Sequence, residues 1–361
     1  MSSSDQRSDP GLDLHRGLAV VLMFLAHALR MQSSRSSSAV FRWIDDTLQW
    51  MDRGVAYVAA SFLFIVGFSM VLAHRDSASH ARAFMGKVSR RAFRLYLMSL
   101  LMFFAEHGTD MPDFLLSSGI LSVIAVAMVL TAAAITSSRP ITALALVVGV
   151  VMAVTYGLEA MNVSVSGLNA GPGGAIPLVM FSAMGAWSAK LYLQHGVKAV
   201  AAVAMIASPG FVIALTRDEP WLALYESVYK DHGGLAIAHY LGLATPKGEI
   251  VSRVFWNPST IGAIGLVTPV ASTTALMLWK QGRVAHKAAL RPLLWLGRHA
   301  LMVFVAHYAL LGMVDLMGLR PSHAGWTLGL WAALIALCSG MSAVAERYPM
   351  SLSFRKKSRA R

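Results

Sequence analysis

The sequence predicts an all-α fold, a polytopic helical bundle embedded in a membrane, and three observations carry that expectation. Of 361 residues, 56% are hydrophobic and only 14% are charged, where a soluble domain carries about a quarter. Apolar runs close to the roughly twenty residues that cross a bilayer recur along the chain. Lys and Arg collect in alternate connections between those runs, as the positive-inside rule requires of a multi-pass protein. The formal charge of +13 does not point to nucleic acid, because the basic residues fall between apolar runs rather than in one patch with interleaved aromatics.

Residues 1–11 are polar and rich in Ser and Asp, which predicts a disordered cytoplasmic tail. Residues 12–346 read as the transmembrane domain and 347–361 as a basic cytoplasmic tail. The first span is Leu12 to Arg30. In the segment RSSSAVFRWIDDTLQWMDR that follows, Phe41, Ile44, Leu48 and Met51 recur at helical spacing opposite charged residues, which predicts a helix lying on the membrane surface. A second span, Val55 to Ala73, leads into the basic loop HRDSASHARAFMGKVSRRAFR. Further runs lie at Leu95–Phe104, Phe114–Thr136, Ile141–Leu158, Ala175–Leu193, Val197–Leu215, Thr260–Trp279, Leu293–Met317 and Trp326–Ala345. They bring the expected number of spans to about ten, with both termini cytoplasmic. The connection 216–256 is long and carries Tyr225, Tyr229, His232, His239 and Tyr240; it reads either as an ordered outer cap or as a solvated loop. Asn162-Val163-Ser164 matches a glycosylation acceptor, a short pattern that arises often by chance. The single cysteine, Cys338, excludes an intrachain disulfide and a cysteine-rich metal site.

The first span, LDLHRGLAVVLMFLAHALR, holds two groups that a span normally excludes. Arg16 and His27 are eleven positions apart, which brings them to within about 20° of one another on one helix face, roughly 16 Å apart along the axis. Arg16 is either the anchor that ends a span or a functional cation; His27 is either a bonded core histidine or a reactive group. Basic residues, a short apolar run and Ala26-His27-Ala28 also imitate a signal peptide, but the later spans count out best if this helix is retained.

Four segments together add a resemblance. Arg16, ten intervening residues and His27 form the first. FLFIVGFSM, Phe62 to Met70, is similar to an FxxSGF segment, with Val66 in the serine position. Arg91-Ala92-Phe93-Arg94 matches an RxxR motif, and LGRHALMVFVAHYAL, Leu296 to Leu310, resembles LGxxSYxLYLxH, with Ala300 for the serine and His307 on the histidine. In this order they resemble the acyltransferase-3 family and its relatives in the transmembrane acyltransferase superfamily, which include the membrane glucan succinyltransferases and the heparan-α-glucosaminide N-acetyltransferase group.

That resemblance implies a membrane-bound acyltransferase, in a plasma or inner membrane, that takes an acyl group, acetyl by default, from a cytoplasmic acyl-CoA. The group would pass to a hydroxyl, or less readily an amine, of a glycan or lipid-linked acceptor in the cell envelope. Arg91 and Arg94, three apart on one helix face, would grip the phosphates of acetyl-CoA, since guanidinium groups bind phosphate bidentately and stay charged; plain topological anchoring accounts for their charge equally well. His27 would act as general base or as a transient acyl carrier. Arg16 would bind the donor or orient the site. His307 is either a structural histidine or a catalytic partner, and Arg298 and His299 would meet lipid headgroups. No metal ion and no nucleic-acid partner is expected, and no phosphate-cradling glycine loop or Ser-His-Asp arrangement appears. A secondary transporter or flippase using intramembrane Arg and His is the rival from another class, and a catalytically inactive scaffold is a third reading.

Overall fold

The computed structural model describes residues 9–32, 42–44, 47, 55–75, 81–109, 111–161, 165, 167–169, 173–216, 259–284 and 287–348. Every regular element among them is helical. In chain order the α-helices are α1 (Pro10–Arg30), α2 (Val55–Arg75), α3 (Ala81–His107), α4 (Asp113–Leu116), α5 (Ile120–Thr136), α6 (Pro140–Ala160), α7 (Val179–His195) and α8 (Val197–Thr216). They continue with α9 (Thr260–Val284), α10 (Arg291–Arg298), α11 (Ala300–Leu316) and α12 (Ala324–Arg347). The 162–164 site and the segment 217–256 lie outside the described residues, as do most of the two tails and most of the expected surface helix; of the expected tails, Pro10 and Gly11 belong to α1 and Arg347 to α12.

Six of these helices, α1, α2, α6, α8, α9 and α12, are each long and apolar enough to cross a membrane; one bent pair raises that number to seven, and α5 is a shorter apolar helix. The protein is a multi-pass membrane protein. Local sequence accounts for the helix starts. Asp9 caps α1, its carboxylate accepting from the Gly11 amide at 2.9 Å, and Pro10 occupies the first turn, where a missing N–H costs nothing. Pro140 opens α6 in the same way.

Three expected elements are corrected. The basic stretch before the third span is not a loop from residue 81 onward: α3 runs unbroken for 27 residues. Its Lys and Arg are good helix formers, and Phe84, Val88, Ala92 and Leu95 form a buried stripe at helical spacing that carries the helix through the charges. The fourth run is interrupted at Ser117-Ser118-Gly119, where Gly119 has φ +114°, a conformation that a Cβ disfavours. The ninth is broken at His299, α10 and α11 meeting at 86°. The octet RPLLWLGR of α10 is amphipathic, with Leu294 and Leu296 buried and Arg291 and Arg298 exposed, so it packs one side only and does not continue as a span.

Close backbone crossings hold the bundle. A Cβ on Gly67 of α2 would lie 1.8 Å from the Ser182 carbonyl oxygen, and one on Gly185 of α7 would lie 1.9 Å from that of Phe64. Helix α1 crosses α10 in the same way: a Cβ on Gly17 would lie 2.0 Å from the Leu293 oxygen, and one on Gly297 would lie 1.9 Å from the Asp13 oxygen. Lipid tails are as apolar as Leu, so such small-residue contacts, which maximise van der Waals approach, do the associating inside a membrane. Helix α1 lies between two cores. One, built on Phe64, Phe68, Phe181 and Leu266, joins α2 to α9; the other, built on Phe24, Val303, Leu334 and Cys338, joins α1 to α11 and α12. Large apolar side chains such as Leu146, Ile206 and Leu337 point outward, as a lipid-facing surface allows.

Gly67→Ala should lower the stability of the detergent-purified protein by about 1–3 kcal/mol or more, the cost of overpacking. Gly86→Ala, whose added Cβ meets nothing within 4 Å, should leave it unchanged or slightly raised. Thermal melting of the two variants beside the parent checks the crossing, and equal melting would remove its importance.

Candidate active site

The site rests on two histidines from opposite ends of the chain. His27, near the end of α1, is half-buried, and His307, within α11, has no exposed surface. Their rings stack with centroids 5.0 Å apart, and His27 Nδ1 lies 2.9 Å from His307 Nε2. Phe24, Phe304 and Tyr308 close around His307 with centroids 5.3, 5.4 and 4.8 Å away, and Tyr308 also meets His27 edge-on at 5.2 Å. The aromatic wall limits how the two imidazoles turn.

Proton accounting then assigns roles to the four ring nitrogens. His307 Nδ1 lies 3.3 Å from the Val303 carbonyl oxygen, and a carbonyl only accepts, so Nδ1 carries the His307 proton. His307 Nε2 is left as an acceptor, and the 2.9 Å contact makes His27 Nδ1 the donor to it. Among the described residues, the lone pair left uncommitted in the neutral pair is therefore the one on His27 Nε2, on the more accessible ring. One nitrogen is free to take a proton or attack a carbonyl while the other three are held in place.

Arg16 lies in a separate network at the other end of α1. Its Nη1 donates to Asp13 Oδ1 at 3.0 Å and to the Gly297 carbonyl at 3.2 Å, and its Nη2 donates to Ser69 Oγ at 3.3 Å. The Asp13 side chain is only 2% exposed, and its second oxygen accepts from Arg298 Nε at 3.3 Å. Arg298 in turn donates to Glu346 Oε1 at 2.5 Å. Besides any contact with headgroups, Arg298 thus makes ion pairs that tie α10 to both α1 and α12. Buried Asp13 needs both cations: a carboxylate out of water is costly unless it is paired and hydrogen-bonded.

Arg91 and Arg94 are both exposed on α3; Arg91 borders the buried stripe, three residues from Val88 and four from Leu95, and Arg94 lies further round the helix. The fold does not bring them to His27; Arg91 comes near enough to Arg16 for their charges to repel. Sequence reasoning missed Asp13, although its spacing of three from Arg16 places the two on one helix face. It also missed His15, which is fully buried. Thr274 Oγ1 donates to the Val270 carbonyl, so at 3.0 Å it accepts from His15 Nδ1; His15 Nε2 is left to accept from Tyr57 Oη at 3.1 Å or Ser61 Oγ at 3.2 Å. This node joins α1, α2 and α9 and has no free valence for chemistry. Among the described residues, no group of three or more His, Cys, Asp or Glu is placed to hold a metal ion.

Asp13→Asn removes the charge that both Arg16 and Arg298 share, so it should cost about 2 kcal/mol, the worth of a hydrogen bond to a charged group. Chemical or thermal unfolding in detergent reads that loss directly, and a variant as stable as the parent would show that the two arginines hold their places without it.

Comparison with known proteins gives the family of the chain. Residues 9–226 match the family model described as heparan-alpha-glucosaminide N-acetyltransferase, catalytic, while no curated protein matches the chain. The matched stretch contains Arg16, His27, Arg91 and Arg94 and ends before His307. Covering more than half of the chain, it shows that the protein belongs to the family of heparan-alpha-glucosaminide N-acetyltransferase catalytic domains, a family of membrane acetyltransferases.

Proposed function

We propose that this protein moves an acetyl group from a cytoplasmic coenzyme A thioester to an amine or hydroxyl of a glycan or lipid-linked acceptor, with His27 as the reacting base. The observation that carries the proposal is the His27–His307 pair, which leaves the Nε2 lone pair of the more accessible ring uncommitted. The family description, which names an N-acetyltransferase acting on a glucosaminide, favours the amino group of an amino sugar over the hydroxyl that sequence motifs alone favour. It also weighs for an acyltransferase over a transporter built on the same intramembrane groups.

In the reaction the acceptor nitrogen, or oxygen, attacks the thioester carbonyl. The new bond to the acyl carbon forms, His27 Nε2 takes the proton that the acceptor loses, and the C–S bond breaks. The imidazolium then returns that proton to the departing thiolate. His307 is a positioning residue: by accepting from Nδ1 it keeps the His27 proton off Nε2 and steadies the cation that forms, so protonation and orientation are settled before substrate arrives. The same lone pair would serve if His27 instead carried the acyl group as an acyl-imidazole. Arg91 and Arg94 take the phosphates of the donor from the cytoplasm. Arg16, paired with Asp13, orients α1 in preference to binding the donor. This assignment goes with about ten spans, cytoplasmic termini and a plasma or inner membrane location, the His27 end of α1 facing outward.

His27→Ala should reduce thiol release from acetyl-coenzyme A in the presence of an amino sugar by about 10²- to 10⁴-fold, with the folded protein still inserted; full activity in that variant would sink the mechanism. His307→Gln, which keeps an acceptor for His27 Nδ1, should retain most of kcat, whereas His307→Leu should lose it with little change in the donor KM. Arg91→Ala combined with Arg94→Ala should raise the donor KM and spare kcat, and an unchanged KM would leave both as topological anchors.

A further inference from the structure

The cleft between α10 and the end of α12 has no part in the chemistry above. It has a volume of about 500 Å³ and is lined by Arg291, Arg298 and Arg347, with Trp295 and the apolar Leu294 beside them and Glu346 as its one acid. Glu346 is engaged by Arg298 at 2.5 Å, and the other side of Arg298 is engaged by Asp13. The local balance therefore leaves Arg291 and Arg347 as excess positive charge at the mouth, both exposed. Two guanidinium groups beside a half-buried indole and an apolar floor suit a phosphate ester with an apolar or planar body attached. Helix α10 is amphipathic and meets the apolar α11 at 86°, so when α11 spans the bilayer α10 lies along the membrane face, at the depth of headgroups. Arg298 also makes the cleft continuous with the Asp13–Arg16 network at the base of α1, the helix that carries His27 near its other end.

We infer that this cleft is a binding site for a phosphate ester, held by Arg291 and Arg347 with its body against Trp295 and Leu294. Two sources share that chemistry, an anionic phospholipid and the nucleotide end of a coenzyme A thioester. The site is built on α10 and α12, whereas Arg91 and Arg94 belong to α3, so the two can be substituted separately and the failure of one told from the failure of the other.

The test uses the full chain in detergent and native mass spectrometry, backed by titration calorimetry. Dioctanoyl phosphatidylglycerol is compared with dioctanoylglycerol, and adenosine 3′,5′-bisphosphate with adenosine, on the parent, on Arg291→Gln/Arg347→Gln and on Arg91→Ala/Arg94→Ala. The parent should bind at least one phosphate ester in preference to its phosphate-free counterpart. The Arg291→Gln/Arg347→Gln variant should bind it about ten- to a hundred-fold more weakly, as loss of charge-assisted contacts implies, and the α3 variant should keep it. Arg291→Lys/Arg347→Lys should fall between, since Lys supplies charge without the bidentate fork. Loss of lipid binding alone identifies the headgroup as the source, and loss of the bisphosphate alone identifies the nucleotide. The inference is overturned if neither phosphate ester is preferred, if the Arg291→Gln/Arg347→Gln variant binds as the parent does, or if only the α3 variant loses binding. Both substituted side chains are exposed, and matching melting of the unliganded variants confirms that the fold is retained.

Discussion

The contact between the backbones of α1 and α10 is the constraint on which the rest depends. Gly17 lies on the Leu293 carbonyl and Gly297 on the Asp13 carbonyl, so no side chain separates the two helices. Helix α11 begins one residue beyond α10, and the register set at Gly297 places His307 against His27. Because each glycine admits the other helix's backbone, the pairing is reciprocal. A slip by one residue would put a side chain where a carbonyl oxygen now sits.

The polar groups at that crossing reinforce it. Asp13 draws Arg16 from its own helix and Arg298 from α10, and Arg16 in turn donates to the Gly297 carbonyl and to Ser69 on α2. One buried carboxylate thus fixes three helices through two cations, at a level about four turns of helix away from the histidines. The Asp13 ion pairs lie at the Pro10 end of α1, where Arg16 and Arg298 keep 22% and 35% side-chain exposure, so their charge, which is costly to bury in a bilayer, is only partly withdrawn from solvent. The His27 and His307 imidazoles lie toward the other end, among Phe24, Phe304 and Tyr308.

The position of α1 between two cores brings a residue outside the family match against one inside it. The core on Phe64 and Phe181 is complete within α1 to α9, and the second core, on Phe24 and Val303, is formed only when α10 to α12 close over the other face of α1. His27 is on the matched side and is oriented by a residue from the unmatched side.

The helical class, the membrane setting and the positions of the apolar runs were determined by the sequence alone, because each follows from composition and from periodicity within a single helix. Arg16, His27 and His307 were legible as candidates for the same reason: ionisable groups stand out in apolar spans. Breaks at Gly119 and His299 were not read from the sequence, although Ser117-Ser118-Gly119 and Arg298-His299 interrupt the apolar runs, because a short polar interruption alone does not tell a bent span from a straight one and the bend comes from what the flanking segments pack against. The burial of Asp13 and His15, the ion pairs that claim Arg298, and the 2.9 Å bond that joins His27 to His307 across 280 positions were decided only by tertiary structure. A hydrogen bond depends on where two helices cross, and the crossing is set by glycines whose meaning becomes apparent only when the partner backbone lies on them.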